Sequence, residues 1–318
     1  FTYYTGFKVN SGEYKLMGLA PYGEPKYKKT ILNELIDLKD DGSFKLNMKY
    51  FNYATGLTMT NEKFSNLFGQ KVRDPKKDLL TQFHMDIASS IQDVIEEIVL
   101  KLTTSLRKEI KSENLCLAGG VALNCVANGK IFKKNIFKNI WIQPAAGDAG
   151  CAIGSALALW HNQLKKNRLI KKEDSMSGSL LGPEYSDNEI EKELKNLGAK
   201  YTHLSWNEII EKTTKFLIDG KIIGWVQGKM EFGPRALGSR SILADPRQQQ
   251  MQSSLNLKIK YRESFRPFAP AVLEEKVNEW FDFNEKSPYM LLVAPINSKK
   301  INLIEEEKEN SFNGFDKL

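Results

Sequence analysis

Cysteine and histidine are scarce in this 318-residue chain, at three residues each. Cys116, Cys125 and Cys151 are too few and too widely spaced for a disulfide framework or a zinc knuckle. Their apolar neighbours predict buried thiols in a reducing compartment, which points to the cytoplasm. His84, His161 and His203 stand too far apart to form a ligand pair, and the pattern around His84 predicts a helical, packed or solvated side chain. No apolar run reaches the ~18 residues of a membrane-spanning helix. The opening FTYYTGFKVN has neither an initiating Met nor a secretory-signal pattern, so a segment or a processed chain is expected. Nothing at Lys317-Leu318 resembles a natural domain end.

What is present is ordinary for a globular protein: 41% hydrophobic and 27% charged residues. The length suits about two domains. Lysine and arginine number 46 against 39 acids, a net charge of +7. Such an excess can serve a nucleic-acid surface. Much of it, however, lies in KKNRLIKKED, residues 165–174, which reads as solvated linker. No strand interleaves basic with aromatic residues, which argues against an RNA-binding protein.

The densest stretch is GWVQGKMEFGPRALGSRSILADPR, Gly224 to Arg247. Ile222 to Val226 predicts a buried strand that delivers a loop carrying Lys229, Glu231, Arg235 and Arg240. Gly228, Gly233, Pro234 and Gly238 shape that loop and let backbone amides approach a ligand. The arginine forks suit phosphate or carboxylate oxygens. A second cluster, KYRESFRPFAP, runs from Lys260 to Pro270. A lone Gly-Pro-Arg would read as a surface loop with locally paired arginines. Two dense clusters beside apolar strands instead predict a pocket for an anionic, phosphorylated ligand.

Elsewhere, GEYKLMGLAPYGEPKY (12–27) reads as a structured loop with a helical turn. Asp40-Asp41-Gly42-Ser43 predicts a turn, and the alternation of Phe44, Leu46, Met48 and Tyr50 predicts a strand. From Leu80 to Ile110 apolar residues recur at steps of three and four, giving a long amphipathic helix. Two strand–loop–helix units follow. In the first, Leu115 to Ala118 is a strand, Gly119-Gly120 a turn and Val121 onward a helix. In the second, Ile140 to Gln143 is a strand, 144–148 a loop and Ala149 to Trp160 a helix. Such units aim backbone N–H groups and a helix dipole at a ligand. Asn124, one turn in, can bond a ribose or a base. Asp148 can be a helix N-cap or a ligand to a metal beside a phosphate. Residues 162–199 read as linker, with a short helix over Asp187 to Leu197. Next come a helix at Trp206 to Ile218, strands at Lys221 to Val226 and Ser241 to Ala244, and a helix from Asp245-Pro246 toward Leu257. Further strands are expected at Phe268 to Leu273 and Tyr289 to Ala294. The tail from Ile301 has only weak periodicity.

LAGGVALNCVANGKI, QPAAGDAGCAIGSAL, GWVQGKMEFGPRALGSRSILADPR and KYRESFRPFAPAVL together closely resemble the NodU/CmcH family of O-carbamoyltransferases. GEYKLMGLAPYG and SPYMLLVAP are similar too, so the likeness covers nearly the whole chain. It implies an α/β protein of two modules. Residues 1–165 resemble the C-terminal half of an actin–hexokinase-type ATPase-like domain, 166–199 form a linker, and 200–318 resemble a YrdC-like domain.

In that family the YrdC-like module joins carbamoyl phosphate to ATP, giving carbamoyl-adenylate and pyrophosphate. The ATPase-like module then transfers the carbamoyl group to a hydroxyl of a sugar or antibiotic. The resemblance assigns Arg235 and Lys260 to carbamoyl phosphate and the nucleotide phosphates. Arg262, two residues after Lys260, matches a Lys-x-Arg pair, with Arg266 assisting. Gly119, Gly120 and Asn124 match positions that cradle adenosine, and Asp148 matches a metal ligand. The implied cofactors are ATP with magnesium, and iron or zinc at the transfer site.

The family's His-x-x-x-His helix, a further metal-binding Asp and a later Ser-x-Asn stretch are not found in these 318 residues. The segment alone is therefore expected not to complete transfer. The related reaction of tRNA threonylcarbamoylation and an inactive nucleotide-binding module are the competing readings.

Overall fold

The computed structural model describes residues 1–170, 174–301 and 315. The segment expected as a loop begins with a true helix, α1 (Glu13–Leu19), which runs into a 3-10 turn at Ala20–Tyr22. Glu13 caps it by accepting from the amides of Asn10 and Gly12. Pro21 stands at the start of the 3-10 turn, where a missing N–H costs nothing. Helix α2 (Lys28–Thr30) passes into a π turn and then β1 (Ile36–Leu38), which pairs antiparallel with β2 (Phe44–Leu46). That strand ends four residues short of the expected Tyr50. The side chain of Asn47 accepts from the Lys49 amide and turns Met48–Tyr50 into a 3-10 helix.

Helix α3 (Glu62–Phe68) is capped by Asn61 and stopped by Gly69 at φ 75°. Helix α4 (Gln82–Ile110) is the 29-residue scaffold that the periodicity predicts. Thr81 and His84 form its capping box, and His84 is buried. One face of α4 carries Ile87 and Val94 into a core with Tyr4, Ile31, Leu35, Phe64 and Phe68. Tyr4 and Phe64 meet edge to face at 4.9 Å.

β3 (Asn114–Leu117) and β4 (Asn139–Ile142) pair in parallel, and each feeds a helix: α5 (Cys125–Lys133) and α6 (Asp148–Ala158). None of the three thiols expected to be buried is fully buried. Cys116 and Cys151 are exposed and Cys125 is half-buried. On β3 the alternation sends Leu115 inward and Cys116 outward, and α6 buries none of its residues.

Helices α7 (Asp187–Asn196) and α8 (Trp206–Ile218) each open with a Ser–Glu capping box, Ser186/Glu189 and Ser205/Glu208. β5 (Ile223–Val226) pairs antiparallel with β6 (Arg240–Leu243). The helix expected from Asp245 begins only at α9 (Met251–Ser254), and a π turn follows it. Asp245 instead accepts from the Arg247 amide and guanidinium and closes a turn. After α10 (Val277–Trp280) the described chain is irregular apart from a 3-10 turn at Ser298–Lys300.

Neither Phe268–Leu273 nor Tyr289–Ala294 forms a strand. Pro267 and Pro270 remove ladder donors from the first, and Met290 at φ 53° breaks the second. The irregular chain around these stretches still carries core residues. Phe265 is buried among Phe7, Leu16, Leu19 and Met85. Tyr289 and Leu291 pack with Ala122, Ile142, Ala146 and Met176.

Candidate functional site

Three loops converge above the parallel pair. The first follows β3. Gly119 has φ 93°, which favours glycine, and a Cβ added there or at Gly120 would meet nothing within 4 Å. Both are exposed, so their backbone is open to a ligand.

Asn124 does not stand one turn into a helix. It is the N-cap of α5, and its Oδ1 accepts from the Ala127 amide at 3.0 Å. The same oxygen accepts from Gln92 Nε2 at 3.1 Å, while Asn124 Nδ2 donates to Gln92 Oε1 at 3.0 Å. One N–H of the carboxamide remains for a ligand. Gln92 is buried on α4 and also donates to buried Glu96, which pairs with Lys130 of α5. Sequence patterns carried no sign of this Gln92–Asn124 pair, because it joins residues 32 apart.

The second loop precedes α6. Gly147, not Asp148, occupies the N-cap position, and no side-chain cap bond is made. Asp148 is the first helical residue and is exposed, with its charge favourably placed at the positive end of the helix. A Cβ on Gly147 would lie 3.6 Å from Leu123 Cδ1, so this loop touches the first.

The third loop is 228–240. Gly233, at φ 121°, approaches so closely that an added Cβ would sit 3.2 Å from Ala145 Cβ. Arg235 Nη2 donates to the Leu123 carbonyl at 3.4 Å, and its buried Nε has no protein partner among the described residues. Burial raises the pKa of the Cys125 thiol, and the charge of Arg235 opposes that shift. Arg235 is thus brought against the turn that carries Asn124, whose Leu123 also touches the Asp148 loop.

Glu231 and Arg240 serve the loop itself. Glu231 Oε1 accepts from the amides of Leu237, Ser239 and Arg240 at 2.8, 2.7 and 3.2 Å. Burial pushes its carboxyl up, but these amides more than offset that and lower its pKa. The Arg240 guanidinium is spent on the carbonyls of Gln227, Gly228 and Ser239. Lys229 is exposed.

A separate cluster gathers Lys260, Arg262 and Arg266. Arg262 Nε donates to buried Asn256 at 2.6 Å, and its guanidinium lies 4.8 Å from the Phe268 ring centre. Arg266 lies 4.4 Å from the ring centre of Tyr14 and 3.4 Å from Glu263. Partial desolvation, then the charges of Arg262 and Arg266, lower the Lys260 pKa. Lys260 is exposed. Among the described residues no carboxylate forms an ion pair with Lys260 or Arg262, and no hydrogen bond joins this cluster to Arg235. The described residues also hold no group of three His, Cys, Asp or Glu side chains that would bind a metal ion.

Comparison with known proteins bears on these loops directly. The model described as "Carbamoyltransferase N-terminus" matches residues 1–157, and "Carbamoyltransferase C-terminus" matches 214–309. The chain belongs to the carbamoyltransferase family. Within that family it is similar to the protein sll1178 of Synechocystis sp., 59% identical over 320 residues, covering 100% of this chain and 52% of the relative. "Nodulation protein NolNO" of Sinorhizobium fredii is 37% identical over 296 residues, 92% of this chain and 41% of its own. "Nodulation protein NolO" of Bradyrhizobium diazoefficiens is 37% identical over 299 residues, 92% and 51% respectively. The chain spans about half the length of these curated relatives, or less. The loops of Gly119 and Asp148 fall in the N-terminal match, and Arg235 and the Lys260 cluster in the C-terminal one.

Proposed function

We propose that the whole protein is an ATP-dependent O-carbamoyltransferase that works through carbamoyl-adenylate. Membership of the carbamoyltransferase family supports the reaction class. The observation that carries the phosphate chemistry is the clustering of Lys260, Arg262 and Arg266, with the carboxylate nearest the two arginines, Glu263, already engaged by Lys15. Such a cluster is stabilised by an anion, and fixed cations stabilise the charge that grows on phosphoryl oxygens. In the adenylation, a carbamate oxygen bonds to the α-phosphorus of ATP as the bond to pyrophosphate breaks. Carbamoyl phosphate and water are consumed and inorganic phosphate is released with the pyrophosphate. In the transfer, an acceptor hydroxyl oxygen attacks the carbamoyl carbon, AMP leaves and the hydroxyl proton is lost.

The open backbone at Gly119 and Gly120, the remaining Asn124 donor and Arg235 suit the adenylate in this second step. Residues 1–165 would form the ATPase-like transfer module and 200–318 the YrdC-like adenylating module, joined by 166–199. ATP would enter as its magnesium complex. For iron or zinc, Asp148 supplies one oxygen and the described residues complete no shell, so no step is assigned to that metal. The acceptor is a small molecule bearing a hydroxyl, and the free cysteines suit the reducing cytoplasm.

Incubating the full-length protein with carbamoyl phosphate and ATP should release pyrophosphate and yield carbamoyl-adenylate. In Lys260→Ala, carbamoyl-adenylate formation should fall by about 100- to 1,000-fold while the fold is kept. Formation at the wild-type rate would remove Lys260 from the machinery. A threonylcarbamoyl-adenylate product would move the protein to the tRNA-modifying reaction.

A further inference from the structure

The motif GEYKLMGLAPYG, at 12–23, has no part in the function described so far. Its helix α1 forms one wall of the cation cluster. Phe265 is almost wholly buried against Phe7, Leu16, Leu19, Ala20, Met85 and Ala88, which fixes its chain neighbours on the surface of α1. Tyr22 Oη donates to the Phe265 carbonyl at 3.1 Å. On this mount Tyr14 faces Arg266 across 4.4 Å and Lys15 Nζ reaches Glu263 Oε1 at 2.6 Å.

Tyr14 is 45% exposed and belongs to none of the buried apolar clusters, so its ring is not needed to fill a core. Two arginines, Arg262 and Arg266, beside one carboxylate would ordinarily collapse onto it. Lys15 instead occupies Glu263 Oε1, leaving only the longer 3.4 Å contact from Glu263 Oε2 to Arg266. An aromatic face attracts a guanidinium without neutralising it, and leaves the N–H donors at its edge free for another acceptor. The result is a charged cluster that is held in place and, among the described residues, paired only through that one Arg266–Glu263 contact.

We infer that Tyr14 and Lys15 are positioning residues for a site in which Lys260, Arg262 and Arg266 bind the phosphate groups of a di- or triphosphate. The site is then shared between the two matched regions of the chain, with its cations from one and its supports from the other. Tyr14 orients Arg266, and Lys15 keeps Glu263 from competing with the ligand. The inference rests on the proposed phosphate chemistry for the identity of the ligand, but not on turnover.

Calorimetric titration of the full-length protein with inorganic pyrophosphate tests it, with each variant's thermal midpoint measured alongside. Wild type and Tyr14→Phe should bind alike, whereas Tyr14→Leu should bind several-fold more weakly. Lys15→Met should also weaken binding, and adding Glu263→Gln to Lys15→Met should restore it. A purely structural Lys15–Glu263 bridge would give no such restoration. Failure of the wild type to bind pyrophosphate, undiminished binding by Tyr14→Leu, or no recovery in the double variant would each overturn the inference. Pyrophosphate binding without carbamoyl-adenylate formation would sink the proposed function and leave this site standing.

Discussion

Glu231 shows how one side chain shapes the loop that carries Arg235. Its single oxygen collects three backbone amides from 237–240, so a nine-residue excursion closes on a buried carboxylate. Glu231→Ala would leave those amides without an acceptor. The expected loss is on the order of 2–4 kcal/mol of stability, read from urea denaturation midpoints. The pH dependence has a definite sign. Because the folded-state pKa is depressed, the contribution is fully present above the unfolded value of about 4.3 and is lost as pH falls through the folded pKa. Acid titration of stability should therefore be shallower in Glu231→Gln than in wild type. Superimposable acid limbs would show that Glu231 does not act as this anchor.

At the scale of elements, the contact of α4 with α5 decides where the Gly119–Asn124 turn stands. α4 is mostly scaffold, but Gln92 and Glu96 project buried polar groups toward α5 and grip Asn124 and Lys130. Gln92→Leu removes both bonds to Asn124 and one to Glu96. It should destabilise the protein by about 1–3 kcal/mol. More tellingly, amide hydrogen exchange over 119–127 should accelerate more than exchange in the Tyr4–Phe64 core, since only the turn loses its tether. Uniform acceleration would assign Gln92 to global stability alone. Local exchange unchanged from wild type would mean that the turn holds itself.

Across the whole molecule, apolar surface is unevenly covered. α6 and α8 bury none of their residues, and Trp160 and Trp206 are 50% and 56% exposed. The parallel β3–β4 pair is also thin for a class of sheet that is normally covered on both faces. Open apolar faces of this size mark interaction surfaces or aggregation liabilities. The curated relatives run to about twice this length or more. The 318-residue segment expressed alone should therefore bind a hydrophobic dye strongly. Supplied with ATP, carbamoyl phosphate and a divalent metal, it should form no carbamoylated acceptor, because transfer needs every reactant held in place. Sustained turnover by the segment would refute this expectation.

Local signals were readable from residue order alone. α4 lies within the Leu80 to Ile110 stretch, where apolar residues repeat at three- and four-residue steps. α8 has the expected limits, Trp206 to Ile218, because Ser205 and Glu208 build a capping box from neighbouring residues. β3 and β4 lie within one residue of their expected limits, and the glycine loops follow them where anticipated. The family was legible too, because its motifs are long and continuous.

Other features depend on contacts between distant residues. The amide of Asn124 is committed to a helix 32 residues away, and Arg235 bonds a carbonyl 112 positions upstream. Tyr14 meets Arg266, and Lys15 meets Glu263, because Phe265 found room beside α1. The expected strand at 289–294 failed for the same reason: Tyr289 and Leu291 were buried by packing against distant helices and loops, without a neighbouring strand. At 268–273 the side chains stay exposed and Pro270 removes a ladder donor. Periodicity and caps act within a few residues, whereas charge pairing and burial act through space. The elements were therefore written in local order, and their meeting at two charged loops was set by tertiary packing.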